Sequence, residues 1–227
     1  MSGPSFLNLS SLKDQVYDYL RERMKKGELR PGSAINMDDT AERLGISKTP
    51  LRDALLRLEV EGFVTILPRR GVIVNRLTLA DIKDMYQVIG ALESTALLSA
   101  APRMDVKDVE EMTRLNECMR DALAGNNFEL YYDYNLAMHN VYIDVCGNGK
   151  IRSTVDTLKK RLYDFPRPFD FIREWEDRST NEHQAFIQLL RKKRFDDAAL
   201  YIRDVHWSFE IQKPYLTRYY SLEKDHA

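Results

Sequence analysis

The stretch ISKTPLRDALLRLEVEGFVTILPRRGVIV, residues 46–74, constrains this chain more than any other. Leu51, Ala54, Leu55 and Leu58 fall at i, i+3, i+4 and i+7, the spacing of one buried helix face. Ser47 or Thr49 can cap that helix, and Pro50 suits a first turn, where its missing N–H is not needed. Gly62 ends it. FVTIL and GVIVN are β-branched runs joined by PRR, which predicts a hairpin. Upstream, Leu12, Val16, Leu20 and Met24 mark a first helix, Gly27 and Pro31-Gly32 break it, and a second short helix fits Met37–Leu44 before Gly45. Three helices and a hairpin make a winged helix-turn-helix, here over residues 1–76.

Lys48 and Arg52 lie four apart near the start of the third helix, opposite its leucine face. A helix that enters a major groove by its N-terminal end presents such positions to bases and phosphates. Ser47 and Thr49 add hydroxyls and backbone N–H groups suited to phosphate. Arg69 and Arg70 stand at the expected wing tip, where Gly71 permits a sharp turn. The competing reading is a solvated helix face and a soluble turn. Residues 1–76 carry 13 Lys/Arg against 10 Asp/Glu in a chain of net charge −1, so a mildly basic module precedes an acidic remainder.

After Asn75 the pattern is helical throughout, which predicts an all-α bundle over residues 77–227. Thr78 to Asp81 reads as a capping box. Leu79, Ile82, Met85, Tyr86, Ile89, Glu93, Ala96 and Leu97 then follow at helical spacing as far as Pro102. Further helices are expected over about 105–124, 128–146, 150–164, 179–193 and 196–213, the last ending before Pro214, with DFPRPFDF as a loop. Tyr131, Tyr132 and Tyr134 read mainly as core. His139, His183 and His206 lie on three different expected helices, and Asn135 shares a face with His139. Together they are a candidate ligand set for a divalent metal, and equally three ordinary core or surface histidines.

Two resemblances sharpen this. GELRPGSAINMDDTAERLGISKTPLRDALLRLEVEGFVTILPRRGVIV closely resembles the N-terminal domain of GntR-family bacterial transcription regulators. The shared features are Pro31-Gly32, Ala41, Leu44-Gly45-Ile46-Ser47, Thr49-Pro50-Leu51-Arg52, Ala54-Leu55, Leu58, Glu61-Gly62 and Arg70-Gly71-Val72. The resemblance gives Ser47, Lys48 and Arg52 recognition-helix positions and Arg69 to Gly71 the wing. Where relatives often carry Arg at the start of the second helix, this chain has Asp38-Asp39, so no contact is extended there. LTLADIKDMYQVIGALESTALLSAA, NLAMHNVYIDVCGNGKI and NEHQAFIQLLRKKRFDDAALYIRDVHWSF resemble the FCD effector domain of the FadR-like branch. That resemblance implies a metal beside an effector cavity, held by residues matching Asn135, His139, His183 and His206. Asn135 stands where relatives usually have Asp. Its neutral oxygen leaves the full dication charge in place, which disfavours hard oxygen-loving ions and leaves zinc or nickel as the best fit. Ile89 replaces a common Arg, so a carboxylate clamp from that helix is unavailable.

The family implies a homodimer on a palindromic double-stranded operator, most commonly a repressor released by a small organic acid or related metabolite. Lys160, Arg161 and Arg167 are the candidates to hold its carboxylate, and Trp207 to line the cavity. No apolar run approaches the roughly 20 residues of a membrane span. The start lacks a signal-peptide layout, and Cys118 and Cys146 form no CxxC, so the cytoplasm is expected. Two alternatives stand beside this reading. One is an effector domain whose histidines bind ligand without metal. The other is a three-His hydrolase with Glu182 as base, which the absence of any H-E-x-x-H, GxSxG or P-loop pattern disfavours. The chain is expected not to be an enzyme.

Overall fold

A computed structural model describes residues 11–165 and 171–220. They divide into two compact units. Among the described residues, one comprises residues 11–77 together with 160–165, and the other residues 78–159 and 171–220.

The first unit holds α1 (Leu12–Lys25), β1 (Ala34–Ile35), α2 (Met37–Leu44), α3 (Lys48–Val60), β2 (Val64–Leu67) and β3 (Gly71–Val74). The leucine face of α3 packs on α1, and Val16, Leu20, Met24, Leu51, Leu55 and Leu58 are buried. Each such side chain contributes about 1.5–3 kcal/mol on leaving water. Gly45, in the left-handed conformation that needs no Cβ, closes α2 and turns the chain into α3. The sheet has three strands, not the two expected, in antiparallel order β1-β3-β2. Ala34 and Ile35 face Ile73 and Val72, and backbone bonds between Gly32 or Ser33 and Val74 extend the pairing. Residues 160–165 complete this unit. Phe165 stacks on Phe63, Asp164 pairs with Arg21, and Arg161 lies against Gly62. A Cβ at Gly62 would come within 2.8 Å of the Arg161 guanidinium carbon.

The second unit is helical: α4 (Leu79–Ala100), α5 (Val106–Ala124), α6 (Phe128–Cys146), α7 (Gly149–Asp164) as far as Lys159, α8 (Arg173–Arg191), α9 (Phe195–Tyr201), a π-helical turn (Ile202–His206) and α10 (Phe209–Tyr219). Capping boxes at Thr78/Asp81 and Asp105/Asp108 start α4 and α5. α5 packs chiefly against α6 and α8, with Met119, Ala122, Leu123 and Tyr131 at the seam.

Two helix expectations are corrected. α8 begins at Arg173, a turn and a half before residue 179. Its first turns are held by the Arg173–Asp177 pair and by the Trp175 indole donating to Gln212. The single helix expected over 196–213 is broken into α9, the π turn and α10, and α10 runs through Pro214 instead of ending before it.

Candidate nucleic-acid interface and metal centre

In the first unit, Ser47, Lys48, Thr49 and Arg52 all lie exposed on the first turns of α3, the face its buried leucines leave to solvent. The Ser47 side chain makes no capping hydrogen bond, so the opening N–H groups of the helix remain available to an anion. Lys48 pairs with Asp38, whose own backbone N–H is capped by Asn36. This contact was not expected from sequence. It puts a carboxylate beside one of the two cations in the first turns of the helix. Arg69, Arg70 and Gly71 are exposed at the tip of the β2–β3 hairpin. Arg69 has φ of 61°, a left-handed conformation uncommon for a residue with a Cβ. Such strain held at a charged loop tip points to a use for that side chain.

In the second unit, α6 supplies Asn135 and His139, α8 supplies His183, and the π turn supplies His206. One ligand atom from each of the three histidines lies within 4.8 Å of the others. The rings are 4.7–5.2 Å apart by centroid. Asn135 is buried one helical turn before His139 on the same face. His139 and His183 are fully buried and His206 nearly so. The wider π turn carries both His206 and Trp207, and such turns concentrate at functional sites. Gly90 on α4 lets the turn approach. A Cβ there would lie 3.0 Å from that of Trp207 and 3.5 Å from the Arg203 Cα.

Burial, opposed by the Glu93 carboxylate, takes the His139 pKa down to about 4. Burial, reinforced by His206 and His139, takes His183 well below the ordinary imidazole value. Both are therefore neutral at pH 7, the form that binds a metal. His139 Nε2 and both ring nitrogens of His183 are buried with no hydrogen-bond partner among the described residues. Buried polar atoms are rarely left so. Three converging imidazoles, two of them neutral and with buried nitrogens that lack a partner among the described residues, fit a borderline-soft divalent ion such as zinc or nickel.

The expected anion holders fare differently. Lys160 is exposed, Arg161 clusters with the first unit against Gly62, and Arg167 lies outside the described residues. The buried cation of the second unit is instead Lys159, whose Nζ is 2.6 Å from Glu93 Oε1 and 5.3 Å from the Trp207 ring. The readable signal was its position. Ile151, Val155, Lys159 and Leu162 form one buried stripe of α7, and a lysine on an apolar stripe needs a partner. Trp207 donates its indole N–H to Glu93 Oε2 and packs on His139 and His206. Glu182 does not stand free as a general base, since it accepts from His206 Nδ1 and Arg178.

The profile of "Bacterial regulatory proteins, gntR family" matches residues 12–74, and that of the "FCD domain" matches residues 84–205. A Streptomyces ambofaciens protein described as an uncharacterized HTH-type transcriptional regulator is 28% identical over 147 residues, 65% of this chain; the match spans 61% of the relative's length. The gluconate operon transcriptional repressor of Bacillus subtilis is 25% identical over 90% of this chain and 85% of its own. The solved structure of McbR/YncC from E. coli aligns with TM-score 0.69 at 18% identity, covering 92% of this chain and 99% of that one, and shares the fold. With its winged helix in front and its helical domain behind, the chain belongs to the gntR family of bacterial regulatory proteins, in the branch that carries an FCD domain.

Proposed function

We propose that this chain is a ligand-responsive repressor, which binds a palindromic operator as a homodimer and senses a small carboxylate through a metal-bearing FCD domain. The observation that carries the metal half is the convergence of His139, His183 and His206, with buried His139 and His183 nitrogens that meet no partner among the described residues. These three and Asn135 would hold zinc or nickel. When bound, the ion supplies a Lewis-acidic positive centre that attracts an anionic effector oxygen. The chain's own residues supply the rest. Three neutral imidazoles and a neutral Asn135 leave the ion's charge undiminished. Trp207 walls one side of the cluster. Lys160 is exposed and Arg161 groups with the first unit, whereas Lys159 is buried beside Glu93, the carboxylate that bonds His139.

On the DNA side, Arg52 and Lys48 would reach into the major groove, with Ser47 and Thr49 at phosphates and Arg69, Arg70 and Gly71 alongside the backbone or the minor groove. Two such heads on a dimer would meet half-sites about one helical turn apart. Effector binding would change their spacing and so the fit to the operator.

The decisive experiment has two arms. Purified protein is titrated with zinc and analysed for bound metal, and duplexes are selected from a random pool and checked for palindromic half-sites. Near-stoichiometric zinc lost in His183→Ala, and a two-fold symmetric site, are expected. Less than about a tenth of an equivalent of zinc would remove the metal, and no enrichment of any duplex at low salt would remove the operator.

A further inference from the structure

Two buried carboxylates flank the histidines, each from a helix other than the one its histidine occupies. Glu93 on α4 takes His139 Nδ1 on its Oε2 at 2.9 Å. The same oxygen accepts Tyr142 Oη and Trp207 Nε1, both at 2.7 Å. Glu182 on α8 takes His206 Nδ1 on its Oε2 at 3.0 Å, while its Oε1 accepts from Arg178 at 2.8 Å and Gln212 bridges both oxygens at 3.3 Å. An ionised carboxylate only accepts, so both Nδ1 atoms must carry the proton. In a neutral imidazole the lone pair then lies on Nε2. His183 differs, since neither of its nitrogens meets a partner among the described residues.

We infer that Glu93 and Glu182 are positioning residues, which hold His139 and His206 as Nδ1–H tautomers and so make Nε2 the metal-binding atom of both. His183 is the ligand whose nitrogen the metal itself selects. This rests on the metal reading above. A carboxylate on the outer nitrogen of a metal-bound histidine fixes ring orientation and raises ligand basicity. Here each carboxylate also has its own cation: Lys159 at 2.6 Å from Glu93, Arg178 at 2.8 Å from Glu182. Each pair is neutral. The histidines are therefore oriented without cancelling the charge of the ion, which remains for an anionic effector. A packing role alone does not explain why two carboxylates from different helices both bind Nδ1, since buried charge costs several kcal/mol that apolar side chains avoid.

The test uses the full chain with 15N-labelled histidine and long-range 1H–15N NMR at pH 8, before and during zinc addition. In the metal-free protein His139 and His206 should show protonated Nδ1 and bare Nε2, and zinc should move the Nε2 resonances of both. Glu182→Gln, whose site is partly solvent-reached, should lose the tautomer preference of His206 but keep that of His139. It should bind zinc about 10–100-fold more weakly by chelator competition. Glu93→Gln should do the reverse. Should that variant not fold, the wild-type spectra and Glu182→Gln decide. Zinc uptake through Nδ1, or undiminished affinity and unchanged His206 tautomer in Glu182→Gln, would overturn the positioning role. Nδ1–H histidines in a wild-type chain that takes up no zinc would instead fell the metal reading on which the role depends.

Discussion

Arg69 shows how one residue separates stability from binding. Its φ of 61° is a conformation that Asn tolerates better than a long side chain does. Arg69→Asn should leave thermal stability equal or raise it by up to about 1 kcal/mol, while weakening affinity for all duplexes alike, with a shallower salt dependence. Equal DNA binding in wild type and variant would make the strained arginine a mere loop residue. Arg52→Ala should cost roughly 1–3 kcal/mol of operator affinity and relax base preference, read by anisotropy against matched and mismatched duplexes. Legibility differed sharply from residue to residue. The exposure of Lys48 and Arg52 could be read because they oppose a leucine stripe. The histidines could be singled out because the chain has only four. The burial of Lys159 was not legible, since exposed and buried lysines look alike until the stripe of α7 is drawn. The carboxylate partners Glu93 and Glu182 come from 46 and 24 residues away in the chain, and no local spacing announces such pairs.

At the scale of elements, the approach of α4 to the π turn hangs on Gly90. Gly90→Ala would gain up to about 1 kcal/mol of helix propensity, but its Cβ would meet Trp207 at 3.0 Å. Overpacking of this kind costs about 1–3 kcal/mol. The expected result is a net loss of about 1 kcal/mol in chemical denaturation and a shift of the Trp207 indole N–H resonance as its bond to Glu93 lengthens. Long elements with unbroken periodicity, such as α3, α4 and α6, were legible to within a residue or two. β1 was not, because two residues carry no period and its pairing depends on a β3 that lies nearly forty residues further on. The break after Tyr201 was not either. A π turn uses the same residue types as the helix around it, and only the tertiary demand of seating His206 beside Glu182 and Trp207 beside Glu93 distinguishes it.

For the whole molecule, the acid limb of stability follows from the buried site. In the metal-free chain His139, with its pKa of about 4, and His183, held well below the ordinary imidazole value by burial, bind protons less readily when folded than when unfolded. Their contribution is fully present above the unfolded imidazole value near 6.5 and is lost progressively as pH falls below it, through about 4 for His139. Glu93, held below the usual carboxylate range by His139 and Lys159 against its burial, adds to the loss below about pH 4.5. Thermal scans should show the second unit melting at a constant temperature from pH 8 to about 6.5 and at ever lower temperatures from there to pH 4; a flat profile below pH 6.5 would contradict the buried neutral histidines. Zinc at 100 times its dissociation constant should stabilise that unit by about 2.7 kcal/mol, a rise of roughly 5–10 °C, and His139→Ala should abolish the rise in calorimetry.

The π turn at Ile202–His206 amounts to one surplus residue threaded into an ordinary helix. Deleting Arg203 or Asp204, which are exposed and paired with each other, would cost the helix little of its own stability. Yet His206 lies inside that turn and Trp207 closes it, so drawing the turn in to an ordinary α-helix would displace these two side chains first. On the metal reading proposed above, a single-codon loss here would loosen the three-histidine cluster, while the first unit, which contains none of these residues, would keep its fold.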